Sequence, residues 1–113
     1  MDEILRRERE YDRRLGFDTF VDPRNREENL KYLLIGLQGE VGEIANDLKK
    51  VLRKKRMKGE EIPEGFYEGI KKEVMDAFMY LLKISILLGM DLKREHEELI
   101  KENLERFSEY RRD

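Results

Sequence analysis

Only two prolines interrupt the 113-residue chain, and both stand where a helix would begin: Pro23 after Asp22, and Pro63 after the turn-like Lys58-Gly59-Glu60-Glu61. Around them apolar residues recur at three-four spacing, and no strand-like alternation competes, so the chain reads as all-α. A first helix over about 2–15 carries Ile4, Leu5, Tyr11 and Leu15 and stops at Gly16. The second, about 24–56, repeats Leu30, Leu33, Leu34, Leu37, Val41, Ile44, Leu48, Val51 and Leu52, with Asn25 and Glu28 as a capping box. A third runs from about Glu64 to Leu88 and closes at Gly89, and Asp91 caps a fourth over about 92–110. We expect a single domain, 1–113, with residues 1–20 as an N-terminal helix and loop and 24–110 as the main body. The expected architecture is a four-helix antiparallel bundle-like subunit. Because the third helix is apolar around much of its circumference, its core should be completed by homo-oligomerisation, as a homodimer or homotetramer.

Composition narrows the chemistry. Charged residues make up 44% of the chain, yet 24 basic side chains nearly balance 26 acidic ones, so the repulsion that keeps acidic or basic polymers unfolded is absent. The absence of cysteine removes disulfides, thiolate nucleophiles and zinc ribbons. The one histidine, His96, has Lys93 three residues before it, which excludes the Glu-x-x-His pairs of di-iron bundles and leaves His96 as a solvated helix residue. The segment Lys49–Lys58 holds seven basic residues in ten; its place at a helix end suits a dipole-complementing terminus, and the near-neutral net charge argues against a nucleic-acid partner. The apolar run Ala77–Leu88 contains Lys83 and is too short to cross a bilayer, so no membrane association is expected. The opening MDEILRRERE lacks a leader pattern, which gives a cytoplasmic location as the expectation. Heavy use of Glu, Lys and Arg resembles thermophile composition.

What is left to do chemistry is carboxylate. Gly39-Glu40-Val41-Gly42-Glu43 and Lys72-Glu73-Val74-Met75-Asp76 each place two acids three residues apart, on one face of a helix. The chain has five acidic pairs at that spacing, about what chance gives, so spacing alone decides nothing. Surroundings separate these two: Glu40 and Glu73 border apolar stripes and should be partly buried, where an ionised carboxylate needs a cation. That cation is either a flanking Lys50, Lys71, Lys72 or Lys83, or a hard divalent metal, Mg²⁺ with Mn²⁺ as a substitute, which all-oxygen ligands select. Such a metal centre suits phosphoryl chemistry. Gly36, Gly39 and Gly42 fit neither a P-loop nor a dinucleotide fingerprint, but three glycines inside a helix imply close approach to that backbone.

These pairs, 30 residues apart on successive helices, resemble the Glu-x-x-Glu and Glu-x-x-Asp motif of the MazG-like all-α nucleoside triphosphate pyrophosphohydrolases. Glu40, Glu43, Glu73 and Asp76 match it residue for residue, and Asn29-Leu30, GEVGEI, KKEVMDAFMYLLKISILLGMDL and Asn103 with Arg106 and Phe107 supply similar context. The GEVGE wording is similar to the MazG and dCTP-pyrophosphatase branches. The resemblance spans about residues 27–107 and implies hydrolysis of a nucleoside triphosphate between its α and β phosphates, with Mg²⁺ on the four carboxylates. It further implies substrate contacts at Asn29, Tyr80, Asn103 and Arg106. The lysine that commonly precedes the asparagine by four residues is Leu99 here, and the base-stacking tryptophans of some relatives are absent; Phe17 and Phe20 are aromatic but suit core packing. Phosphoribosyl-ATP pyrophosphohydrolase carries a similar acidic motif, and a non-catalytic helical oligomeric adaptor is the reading from another class.

Overall fold

The computed structural model covers residues 1–113 and contains four α-helices, three short 3₁₀ turns and no strand. Helix α1 spans Asp2–Leu15, α2 Arg26–Lys58, α3 Phe66–Leu87 and α4 Leu92–Arg106. Their ends follow the expected chemistry in most places. Gly16 and Gly59 take positive φ of 74° and 70° and close α1 and α2, a conformation that favours glycine. Asp91 accepts a hydrogen bond from the Arg94 backbone N–H at 3.2 Å and caps α4.

Several boundaries differ from the sequence reading. The Asn25–Glu28 capping box does not form: Asn25 makes no side-chain cap to α2, and it is Asp22 that accepts from the Arg24 N–H, starting a 3₁₀ turn over Pro23–Asn25. The third helix begins at Phe66 rather than Glu64, because Gly65 at φ 87° turns the chain just before it. The fourth stops at Arg106, and Ser108–Tyr110 is a separate 3₁₀ turn.

The body of the subunit is the long antiparallel hairpin of α2 and α3, with α1 and the 3₁₀ turn Phe17–Val21 laid against α3 and α2. The fourth helix does not complete a bundle. It leaves the hairpin after Gly89 and packs substantially only on its own C-terminal turn. The radius of gyration is consequently 18.3 Å, against about 13 Å for a compact chain of this length. Only nine of 113 residues are buried, and five of those nine are polar or charged. No helix is long and apolar enough to cross a membrane.

One buried contact fixes α1. Lys83 of α3 donates to Asp12 at 2.6 Å and to Glu8 at 3.1 Å, and its ammonium lies 5.2 Å from the centre of the Tyr11 ring. The acids are i and i+4 on α1, so one lysine reaches both.

Candidate active site

Residues Glu40, Glu43 and Asp47 of α2 follow at intervals of three and four, and Glu73 and Asp76 of α3 at an interval of three, so each helix presents one acidic edge. The antiparallel packing sets the two edges beside each other. Glu40 is held above the ordinary carboxylate value first by desolvation and then by the charges of Glu43 and Asp76. Glu73 is raised first by the neighbouring Asp47 carboxyl, with which it could share a proton, then by desolvation and by the charges of Asp47, Glu43 and Glu40. The four acids picked out by sequence thus face one another across the hairpin, as do Glu73 and the unanticipated Asp47.

Burial is graded across this face. Glu40, Asp47 and Glu73 are half-buried, whereas Glu43 and Asp76 are exposed. Atom Oε2 of Glu73 is buried without a hydrogen-bond partner. None of the five acids forms an ion pair: Lys71 is taken by Glu68 at 2.9 Å, and Lys83 by Glu8 and Asp12. Flanking lysines therefore do not neutralise this face. Asp47 and Glu73 line a cleft of about 340 Å³ with Lys50, Phe66 and Gly69, and Lys50 stands there beyond ion-pair distance of either acid.

In chemistry this donor set is the kind a hard divalent cation takes: all oxygen, without a paired cation, and including one buried carboxylate oxygen that no donor reaches. As the side chains stand, however, no three of them are gathered closely enough to hold an ion.

Tyr80 belongs to the same face. Its hydroxyl is raised by desolvation first, then by Tyr32 and Glu40, with Asp76 also contributing. A Cβ placed on Gly36 would run into Cε1, Cζ and Oη of the Tyr80 ring, so Gly36 is the notch that admits the ring. Gly39 and Gly42 have no such neighbour, and nothing within the subunit explains them. Tyr32 stacks on Phe20 with centroids 4.0 Å apart and planes 8° from parallel, continuing through Phe17 to Tyr11.

The remaining predicted contacts lie apart from the acids. Asn29 is buried, and its Nδ2 donates to the carbonyls of Thr19 and Asp22 at 2.9 and 3.0 Å, so its amide anchors the segment before α2. Asn103 and Arg106 sit on α4, which does not pack on α2, and the Arg106 guanidinium rests 4.9 Å from the Phe107 ring. One subunit therefore does not join them to the acidic face. The exposed basic run at the end of α2 forms no ion pairs, and His96 is exposed, as expected.

Two groupings escaped the sequence reading. Asp47 was legible as the next position, i+4 after Glu43, of the same helical edge. Lys83 was the only charge in the apolar run of α3 and so demanded an acid, but Glu8 and Asp12 lie more than 70 residues away. No protein-family profile, curated protein or solved structure matches the chain.

Proposed function

We propose that the chain is a Mg²⁺-dependent nucleoside triphosphate pyrophosphohydrolase, cleaving an NTP or dNTP to the monophosphate and pyrophosphate, with a nucleotide-pool house-cleaning role. The observation that carries the reading is the acidic face itself: five carboxylates on two neighbouring helices, no cation paired with any of them, and the Oε2 of Glu73 orphaned. The buried carboxylates of Glu8 and Asp12 share a lysine; the half-buried Glu40, Asp47 and Glu73 have none. Glu40, Glu43, Glu73 and Asp76 would hold Mg²⁺, or Mn²⁺ in its place, which when bound supplies the positive charge that polyphosphate oxygens require.

The chain's own residues account for the rest. Lys50, unpaired at the edge of the cleft, offers an ammonium to a phosphate oxygen. The Tyr80 hydroxyl, fixed by the Gly36 notch, stands beside Glu40 and Asp76 where it can orient a substrate group. The Phe20–Tyr32 stack supplies a flat aromatic edge near Tyr80 against which a base can rest. A carboxylate of this face accepts the proton of the water that attacks phosphorus, and its raised affinity for protons suits that duty.

The test is incubation of the protein and Mg²⁺ with a panel of nucleoside triphosphates, phosphoribosyl-ATP included, resolving monophosphate plus pyrophosphate from diphosphate plus phosphate. Pyrophosphate release that needs the metal is the expected result. Absence of turnover across the panel, with no metal-dependent thermal shift, would leave the adaptor reading in its place.

A further inference from the structure

One edge of α2 changes character along its length. From the N-terminal end it is aromatic at Tyr32, bare at Gly36 where the Tyr80 ring enters, acidic from Glu40 to Asp47, and basic at Lys50, Lys54 and Lys58. At 100° per residue all of these positions fall within about 80° of one another, so they form one line on the helix. The three lysines are exposed and join no ion pair, although Glu60, Glu61 and Glu64 follow in the next connection. The helix dipole does not account for them: its pull is confined to the last turn, residues 55–58, which leaves Lys50 and Lys54 outside. Like charges four residues apart weaken a helix, and no ion pair of the chain offsets that here. Gly69, inside α3, lines the same cleft as Asp47, Lys50 and Glu73 and leaves open space where a side chain would stand.

Resting on the pyrophosphohydrolase reading, we infer that this line ends in a further phosphate subsite and that the substrate class is nucleotides carrying more than three phosphates, with Lys54 and Lys58 on those beyond the third. The order along α2 is the order of parts in such a molecule: base, sugar, metal-bound phosphates, then the free end of the chain. At 1.5 Å per residue the acids from Glu40 to Asp47 cover about 10 Å, and Lys50 stands just past them, at the end of a triphosphate. Lys54 and Lys58 lie about 6 and 12 Å farther along the axis, where only a longer chain reaches. A phosphate chain suits them better than a nucleic-acid strand, because no aromatic residue follows Tyr32 on α2 to stack bases, and a row of ammonium groups reads charge alone. In the reaction the water oxygen bonds to the α phosphorus, the bond from that phosphorus to the bridging oxygen breaks, and the oxygen departs with the rest of the chain. The water proton passes to a carboxylate of the acidic edge, so a nucleoside tetraphosphate gives the monophosphate and tripolyphosphate.

Adenosine 5′-tetraphosphate and ATP, each incubated with the whole chain and Mg²⁺, should differ in kcat/KM by about 10-fold or more in favour of the tetraphosphate, the worth of one or two charge-assisted contacts. The double variant Lys54→Gln, Lys58→Gln should remove most of that preference. The double variant Lys49→Gln, Arg53→Gln takes two charges from the same helix end, but from positions about 60° or more outside the line, and should keep it. All four side chains are exposed, so both variants should fold. Equal kcat/KM for the two nucleotides, or a preference that survives the loss of Lys54 and Lys58 or falls alike in both variants, would overturn the subsite and leave the hydrolase reading in place. Calorimetric titration with inorganic tripolyphosphate and pyrophosphate in Mg²⁺ tests the subsite without turnover. Tighter binding of tripolyphosphate that depends on Lys54 and Lys58, in a protein that hydrolyses neither nucleotide, would keep the subsite and overturn the hydrolase. Equal binding of the two anions by such a protein would overturn both.

Discussion

Carboxylates are drawn together in two places in this molecule, and the two are treated in opposite ways. Between α1 and α3, Glu8 and Asp12 are 4% and 1% exposed and share the ammonium of Lys83, at 3.1 and 2.6 Å. Between α2 and α3, Glu40, Glu43, Asp47, Glu73 and Asp76 receive no cation at all, although Lys50 lines the cleft beside two of them. The first arrangement is dry and closed: Oε1 of Glu8 and Oδ2 of Asp12 are buried without partners, so the ammonium is their only compensation. The second is half-open to solvent, which tolerates the repulsion as it stands and leaves room for a cation.

The clasp should break most severely. Lys83→Met would leave two buried carboxylates uncompensated, and loss of one partner from a buried ionic group costs about 3–5 kcal/mol. Against a total stability on the order of 5–15 kcal/mol, that is enough to release α1 or unfold the chain, read as a shift of the urea midpoint. Replacing all three together, Glu8→Leu, Asp12→Leu and Lys83→Met, should recover most of the loss, because no charge is then left buried. Equal damage from the single and triple variants would show that packing, not charge, holds α1.

On the other face the expected loss is in rate, not stability. Glu43→Gln or Asp76→Asn should cut Mg²⁺-dependent pyrophosphate release by about 100-fold or more, on the order of 3 kcal/mol of transition-state stabilisation. Both side chains are exposed, so helicity and urea midpoint should stay close to wild type. If both variants keep full activity, these carboxylates have no part in the reaction, and the contrast between the two regions reduces to one of burial.

Tyr80 connects the regions, four residues after Asp76 and three before Lys83 on α3. Its ring occupies the notch at Gly36, so Gly36→Ala should force the ring aside and destabilise by about 1–3 kcal/mol, as overpacking does. In a Tyr80→Ala background the same change should instead be neutral or stabilising, because alanine is the better helix former by up to about 1 kcal/mol. A double-mutant cycle on denaturation free energies reads the difference directly.

How much of this was legible in sequence depends on the range of the interaction. The helices and most of their stops are local, set by periodicity and by residues such as Gly16 and Asp91, and they emerged within a few residues. The acidic edges were legible for the same reason, each being a repeat within one helix. What failed was long-range. The Lys83 clasp closes over more than 70 residues of intervening chain, and the departure of α4 after Gly89 depends on a single turn. An amphipathic, three-four patterned helix such as the fourth reads as a bundle member whether its partner is its own chain or another.

The mildest expected effect, titration, separates the regions by the cation that relieves each. Glu40 and Glu73 on the hairpin and Glu8 in the clasp all bind protons more tightly folded than unfolded, desolvation being a leading cause in each and the Asp47 contact the largest for Glu73. A carboxylate raised in this way contributes stability that is fully present below its unfolded value of about 4.5 and is lost as pH rises through the folded value. In metal-free buffer the thermal midpoint should therefore decline modestly on going from just below pH 4.5 toward neutrality. Addition of Mg²⁺ at neutral pH should restore the share that belongs to Glu40 and Glu73, since a bound cation relieves the same repulsion a proton does. It should not restore the share of Glu8, whose oxygens are sealed from solvent beside Lys83. The Glu40→Gln, Glu73→Gln double variant should flatten the pH response and abolish the Mg²⁺ shift together, whereas Glu8→Gln should flatten part of the pH response and leave the Mg²⁺ shift intact. A Mg²⁺ shift that persists in the hairpin double variant would place the ion elsewhere.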